Sequence, residues 1–119
     1  MSLKTIASQF VELRNQGKTF GVMHATYAPD IVSIEASGEQ TAGKTPVIQK
    51  SEHWQANNTI GGEKVLGPFF NGPNQFAVHF TFEVTPKASG QRITLEEVGV
   101  YTVKNDQITR EQFFYDGER

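Results

Sequence analysis

The sequence predicts an α+β domain in which helices pack on one face of a curved antiparallel sheet. Three observations carry that expectation. Residues 3–58 place apolar side chains at helical spacing in three stretches, with one short strand among them. From about residue 63 the chain reads as strands, with clear alternation of apolar and polar positions from Gln75 to Thr85. A polar two-residue turn, Asn105-Asp106, then joins the last two apolar runs into a hairpin.

At 119 residues, with 37% hydrophobic positions and no cysteine, the chain is long enough for one core over residues 1–119 without disulfides. Nine Phe, three Tyr and one Trp concentrate apolar area in few positions. The absence of cysteine excludes thiol catalysis and thiolate metal sites. A net charge of -2, with no basic stripe, argues against nucleic-acid binding. No apolar run approaches the ~20 residues of a membrane span. The N-terminal residues do not read as a secretory signal, so a cytoplasmic protein is expected.

Leu3, Ile6, Ala7, Phe10, Val11 and Leu13 mark a first amphipathic helix, capped by Ser2 and ended by Gly17. Phe20, Met23, His24 and Tyr27 mark a shorter second one, stopped before Pro29. A strand from Ile31 to Ala36 and a polar loop from Gly38 to Gly43 follow. Thr45-Pro46 reads as an N-cap with proline in the first helical position. That helix carries Val47, Ile48, Ser51 and Trp54 on one face, runs to Asn57 or Asn58, and is broken by Gly61-Gly62.

A strand from Glu63 to Phe70 contains Pro68, which demands a bulge or an edge position. Asn71 to Asn74 turns the chain. Between Gln75 and Thr85, Phe76, Val78, Phe80, Phe82 and Val84 share one face. After a loop at Pro86 to Gly90 comes the hairpin. With Lys104 opposite Gln107, strict alternation sets Tyr101 against Arg110, Gly99 against Gln112 and Glu97 against Phe114. Glu96 and Glu111 then fall on the other face. Thr81, Val98, Val100, Phe113 and Tyr115 fall there too, an apolar set that suits a partner surface.

In this register Glu97 lies between Phe80 and Phe114 on an apolar surface. Desolvation raises the pKa of such a carboxyl and lets it exchange a proton near neutrality. The structural alternative is that Glu97 pairs with Arg110 or Arg92. Trp54 and Tyr27 read as core or pocket-lining residues able to orient a ligand. His53 is expected in solvent, His79 on the sheet's outer face, and His24 on either side of its helix. Three histidines without close spacing form no metal signature, and no cofactor is expected.

The order of these features resembles the nuclear transport factor 2-like superfamily, the cystatin-like roll, and within it the SnoaL-like proteins. The resemblance rests on Tyr27-Ala-Pro-Asp30 before a strand, Gly43-Lys-Thr-Pro46 opening a helix with Trp54 late in it, and the closing run Glu97 to Tyr115. It implies a cone-shaped sheet wrapped around N-terminal helices, a pocket between them, and a homodimer through the sheets. It does not imply one activity, because members include isomerases, cyclases, dehydratases, epoxide hydrolases and non-catalytic binders.

Similarity to the ketosteroid isomerases places Glu35 at their general-base aspartate; the other reading of Glu35 is a solvent-facing carboxylate at a strand end. The tyrosine of their oxyanion hole falls near Phe10 or Val11, and its protonated aspartate near Val98, beside Glu97. Losing one such donor costs on the order of 10²–10³ in rate, so ketosteroid isomerase activity itself is not expected. The expectation is a cavity for a small, largely apolar molecule, lined by Tyr27, Trp54, Phe80, Tyr101 and Phe114. Glu97 and Glu35 are its candidate acid–base groups. A non-catalytic binder and a purely structural dimer are the alternatives.

Overall fold

The computed structural model describes residues 2–116. Helix α1 spans Leu3–Asn15, α2 Thr19–Thr26 and α3 Lys44–Asn57; the strands are β1 Tyr27–Ile34, β2 Gln40–Ala42, β3 Asn58–Asn71, β4 Gln75–Pro86, β5 Ile93–Lys104 and β6 Gln107–Phe114. They form one sheet in the order β2-β1-β6-β5-β4-β3. Every pairing is antiparallel except β1 with β6, which is parallel. The expected fold class is therefore the observed one, with a single parallel junction where the chain's first long strand meets its last.

Local chemistry explains most boundaries. Ser2 caps α1, its hydroxyl accepting from the Thr5 N–H at 3.2 Å. Gly17 leaves that helix at φ +77°, a left-handed conformation that costs glycine nothing. Helix α3 begins one residue before the expected Thr45 cap. Its cap is Gly43, at φ +99°, whose N–H bonds back to the Ile31 carbonyl at 2.8 Å. That tie to β1 decides where the helix starts, and Pro46 falls inside the first turn.

Three strand expectations are corrected. The first strand starts at Tyr27, directly from α2, and part of the polar loop after it pairs back as β2. Strand β3 starts at Asn58, and Gly61-Gly62 lies inside it, at a register shift between Ile60 and Gly62. The glycines bend the strand instead of ending it. Pro68 meets both of its requirements, because β3 is an edge strand with a second shift between Leu66 and Phe69.

The decisive correction is in the hairpin. Asn105 and Asp106, at φ 51° and 62°, form the expected turn, with Lys104 opposite Gln107 and Val103 opposite Ile108. A bulge at Thr109 then shifts the register, so Tyr101 faces Glu111, Gly99 faces Phe113 and Val98 faces Phe114. Strict alternation from the turn misses the extra residue. Glu111, Phe113 and Tyr115 therefore belong to the inner face. Phe114 is outside and 50% exposed.

Helix α1 packs on β3 and β4, and α3 on β1. The core they close gathers Phe10, Phe76, Phe80 and Tyr101, with the Phe76 and Tyr101 rings stacked at 5.1 Å and Phe10 4.6 Å from Tyr101. This stack requires a glycine at position 99. A Cβ there would stand 2.9 Å from the Tyr101 ring and 3.0 Å from Phe80. Gly99→Ala is expected to cost about 1–3 kcal/mol by overpacking. A urea midpoint equal to the parent protein's would show that the rings move aside freely.

Candidate functional site

A cavity of about 970 Å³ opens between the helices and the inner face of the sheet. Phe20, Met23, Trp54, Phe82, Leu95 and Phe113 supply its apolar walls, while Arg14, Glu35, Lys50, Glu63, Glu97 and Glu111 bring charge into the same space. Apolar walls with a few fixed polar groups are the common makeup of small-molecule sites.

The deepest carboxyl belongs to Glu111, 2% exposed. It is placed by the Thr109 bulge and the parallel pairing of β6 with β1, which sets Glu111 opposite Ser33. The Tyr27 hydroxyl donates to Oε1, and the Ser33 hydroxyl to Oε2 at 2.7 Å. Both bonds satisfy acceptors that would otherwise be buried without partners. Burial pushes the Glu111 pKa up; the bonds from Tyr27 and Ser33 and the cations Lys50 and Arg14 pull it back without cancelling the rise. Burial, followed by the charge of Glu111, also holds the Tyr27 phenol well above its usual range.

Lys50 connects this group to Glu35. Its ammonium donates to Ser33 Oγ at 2.7 Å and to Glu35 Oε1 at 2.6 Å. The Tyr115 hydroxyl donates to Glu35 Oε2 at 3.0 Å. Both Glu35 oxygens are thus engaged by donors. A chain of polar contacts runs from Tyr115 through Glu35, Lys50 and Ser33 to Glu111 and Tyr27.

On the other side of the cavity, Arg14 donates from Nε at 2.9 Å and from Nη2 at 2.6 Å to one oxygen of Glu63. Its guanidinium carbon lies 4.8 Å from the Phe80 ring centroid and 5.6 Å from that of Phe10. Burial works against the charge on Arg14, but Glu63, Tyr101 and Tyr27 outweigh it and hold the pKa above the usual value.

The candidates named from sequence divide into three groups. Glu97, Glu35, Tyr27 and Trp54 line the cavity. Phe80 and Tyr101 lie in the core beside it, 1% and 0% exposed. Phe114 is excluded from it by the register shift and takes its place on the outer face with Val98. Of the two arginines considered for Glu97, Arg92 reaches Glu83 at 3.3 Å and Arg110 reaches Gln112 at 3.2 Å. His24 and His53 are exposed, and His79 faces Glu96 at 3.6 Å outside the sheet. Among the described residues no cluster of three metal-ligating side chains occurs, and no helix is long and apolar enough to cross a membrane.

Sequence reasoning missed Glu111, Lys50, Ser33, Arg14, Glu63 and the inward turn of Tyr115. One signal for Glu111 was present. Read backward from the C-terminus, Tyr115, Phe113 and Glu111 share a face that two aromatic rings would draw inside. Read forward from the turn, Ile108 is inside. Only a bulge between them satisfies both.

Residues 1–115 match the SnoaL-like domain family. The chain belongs to the SnoaL-like family. Among solved structures, it is 47% identical to a candidate SnoaL-like polyketide cyclase [carbohydrate phosphatase] from Mesorhizobium loti, over 97% of this chain and 100% of that one, with a TM-score of 0.92. A candidate polyketide cyclase from Pseudomonas putida is 17% identical over 98% and 92% of the two chains, TM-score 0.74. A protein of ketosteroid isomerase-like fold from Catenulispora acidiphila, solved in complex with trimethylamine, is 13% identical over 93% and 85%, TM-score 0.71. The last two likenesses concern the fold alone. No curated protein matches the sequence.

The raised pKa of Glu111 has a definite consequence for this SnoaL-like domain. Between the ordinary carboxylate pKa and the raised one, the folded protein holds a proton that the unfolded chain has released. Stability therefore falls as pH rises through that window and levels off above it. Glu111→Gln lacks this loss. Its stability relative to the parent should climb with pH across the window in urea titrations. A difference independent of pH would mean that Glu111 titrates as an ordinary carboxyl.

Proposed function

We propose that this SnoaL-like domain binds a small, largely apolar molecule in the cavity and carries out acid–base chemistry on it, of the isomerase, cyclase or dehydratase type. The supporting observation is convergence: Glu97, Glu35 and the buried Glu111 all border one apolar-walled space of about 970 Å³. Carboxyls in unlike surroundings divide acid and base roles between them. Glu35, fixed in place by Lys50 and Tyr115, suits the general-base role. Glu97 faces the cavity from β5 and suits proton transfer at the ligand. Glu111 lies at the floor, where burial favours its protonated form. The cyclase naming of the Mesorhizobium loti protein agrees with this class of chemistry.

Native mass spectrometry of protein taken directly from cells tests the reading. A retained small molecule, weakened about tenfold or more by Trp54→Ala, is the expected result, since a buried ring contributes on the order of 2–3 kcal/mol. Glu97→Gln should keep the molecule but slow its conversion by a factor on the order of 10²–10⁴. A cavity that retains no molecule and takes up none from an apolar ring library would contradict the proposal. Binding without conversion would leave a carrier instead.

The same reading includes a homodimer through the outer sheet face. Leu66, Phe69, Val98 and Phe114 are exposed there, an apolar set of the kind that meets a partner. Light scattering at micromolar concentration should give a dimer mass, with Val98→Lys shifting it toward the monomer. A stable monomer of the parent protein would remove this part.

A further inference from the structure

The proposed function leaves the buried cation unused. Arg14 borders the cavity at 7% exposure, and a guanidinium carries five N–H donors. Glu63 takes two of them, both through its Oε1 atom. The guanidinium makes no other hydrogen bond among the described residues, which leaves three of its donors unused by them. The group is also fixed in place. Glu63 holds it in plane while the Phe10 and Phe80 rings lie 5.6 and 4.8 Å from its carbon.

A second donor stands close by. The Tyr101 hydroxyl is fully buried and has no hydrogen-bond partner among the described residues. It lies with the Phe80 edge over Gly99, both within about 3 Å of where a Cβ would stand, and Phe80 is the ring that Arg14 covers. This end of the fold thus holds more hydrogen-bond donors than the described residues engage, and the buried Tyr101 hydroxyl without a partner carries a cost.

The lining decides which oxygen suits them. Glu35, Glu39, Glu63 and Glu97 outnumber Arg14 and Lys50 even with Glu111 left out, so an anionic ligand would meet an acid excess. An uncharged acceptor meets no such penalty and still gains a bond from a charged donor. Resting on the cavity reading above, we propose that Arg14 is a specificity-determining residue whose remaining N–H groups receive the carbonyl oxygen of an uncharged ketone carried on an apolar ring system. The apolar remainder of the ligand then lies along Phe82, Leu95 and Phe113.

The probe pair 2-acetylnaphthalene and 2-isopropenylnaphthalene tests this, because the two differ mainly in the carbonyl oxygen. Calorimetry on the full chain should show the ketone binding about tenfold tighter or more, the range of one bond from a charged donor. The ketone carbonyl stretch should move to lower frequency on binding. In Arg14→Met/Glu63→Met, which removes the pair without leaving a lone buried charge, the preference and the frequency shift should both vanish while the hydrocarbon still binds. Glu63→Gln, which keeps the cation and removes its counter-charge, should raise the ketone preference and covers the case in which the double variant fails to fold. Equal binding of the two probes, a preference that survives loss of Arg14, or an unchanged ratio in Glu63→Gln would overturn the assignment while leaving the cavity reading intact. Failure of both probes to bind the parent protein would overturn both.

Discussion

A carboxyl buried under the helices governs this fold's interior. Glu111 sits where an apolar side chain would be expected, and its two oxygens are satisfied by Tyr27 and Ser33, both on the adjacent parallel strand. Removing either partner would strand a buried acceptor, so the three side chains and the β1–β6 register depend on one another. Lys50 reaches Ser33 from α3 and Tyr115 reaches Glu35 beside it. The polar side of the cavity is thereby held by one helix, two strands and the segment after β6. Four separate parts of the chain must be in place before it exists.

The sheet's irregularities serve that arrangement. Shifts in register occur in β3 at Gly61 and around Pro68, in β6 at Thr109, and in the first half of β1. Each bends its strand and adds local twist. Long strands of 14, 12 and 12 residues in β3, β4 and β5 can then curl around the helices. Curvature leaves the cavity open at one side, while Phe10, Phe76, Phe80 and Tyr101 fill the other. Arg14 stands at the boundary, its guanidinium over the Phe10 and Phe80 rings and at the wall of the cavity.

Much of this was legible in the chain, for physical reasons that can be named. The alternation from Phe76 to Val84, the Asn105-Asp106 turn and the Ser2 cap are local signals, and local signals fix local structure. The cavity positions of Glu97 and Trp54 followed from them, because nothing irregular intervenes between each residue and the feature that sets its phase. Phe114, Phe113, Tyr115 and Glu111 lie beyond a bulge, and a period of two carries its error forward to every later position. Lys50 and Arg14 belong to helix faces whose neighbours are strands distant in sequence, which periodicity does not identify. The Thr45 cap gave way to Gly43 because a backbone bond to Ile31 decides the helix start.

The central claim is that the Thr109 bulge places a proton-holding carboxyl at the floor of the cavity. Carbon-detected NMR of selectively labelled glutamate, assigned with Glu111→Gln, follows its side-chain carboxyl directly through a pH titration. The account predicts a Glu111 resonance whose midpoint lies above the ordinary carboxylate range. Lys50→Met should raise that midpoint further, because it removes a cation that favours the charged form. A midpoint within the ordinary range, unmoved by Lys50→Met, would place Glu111 in water and contradict the interior described here.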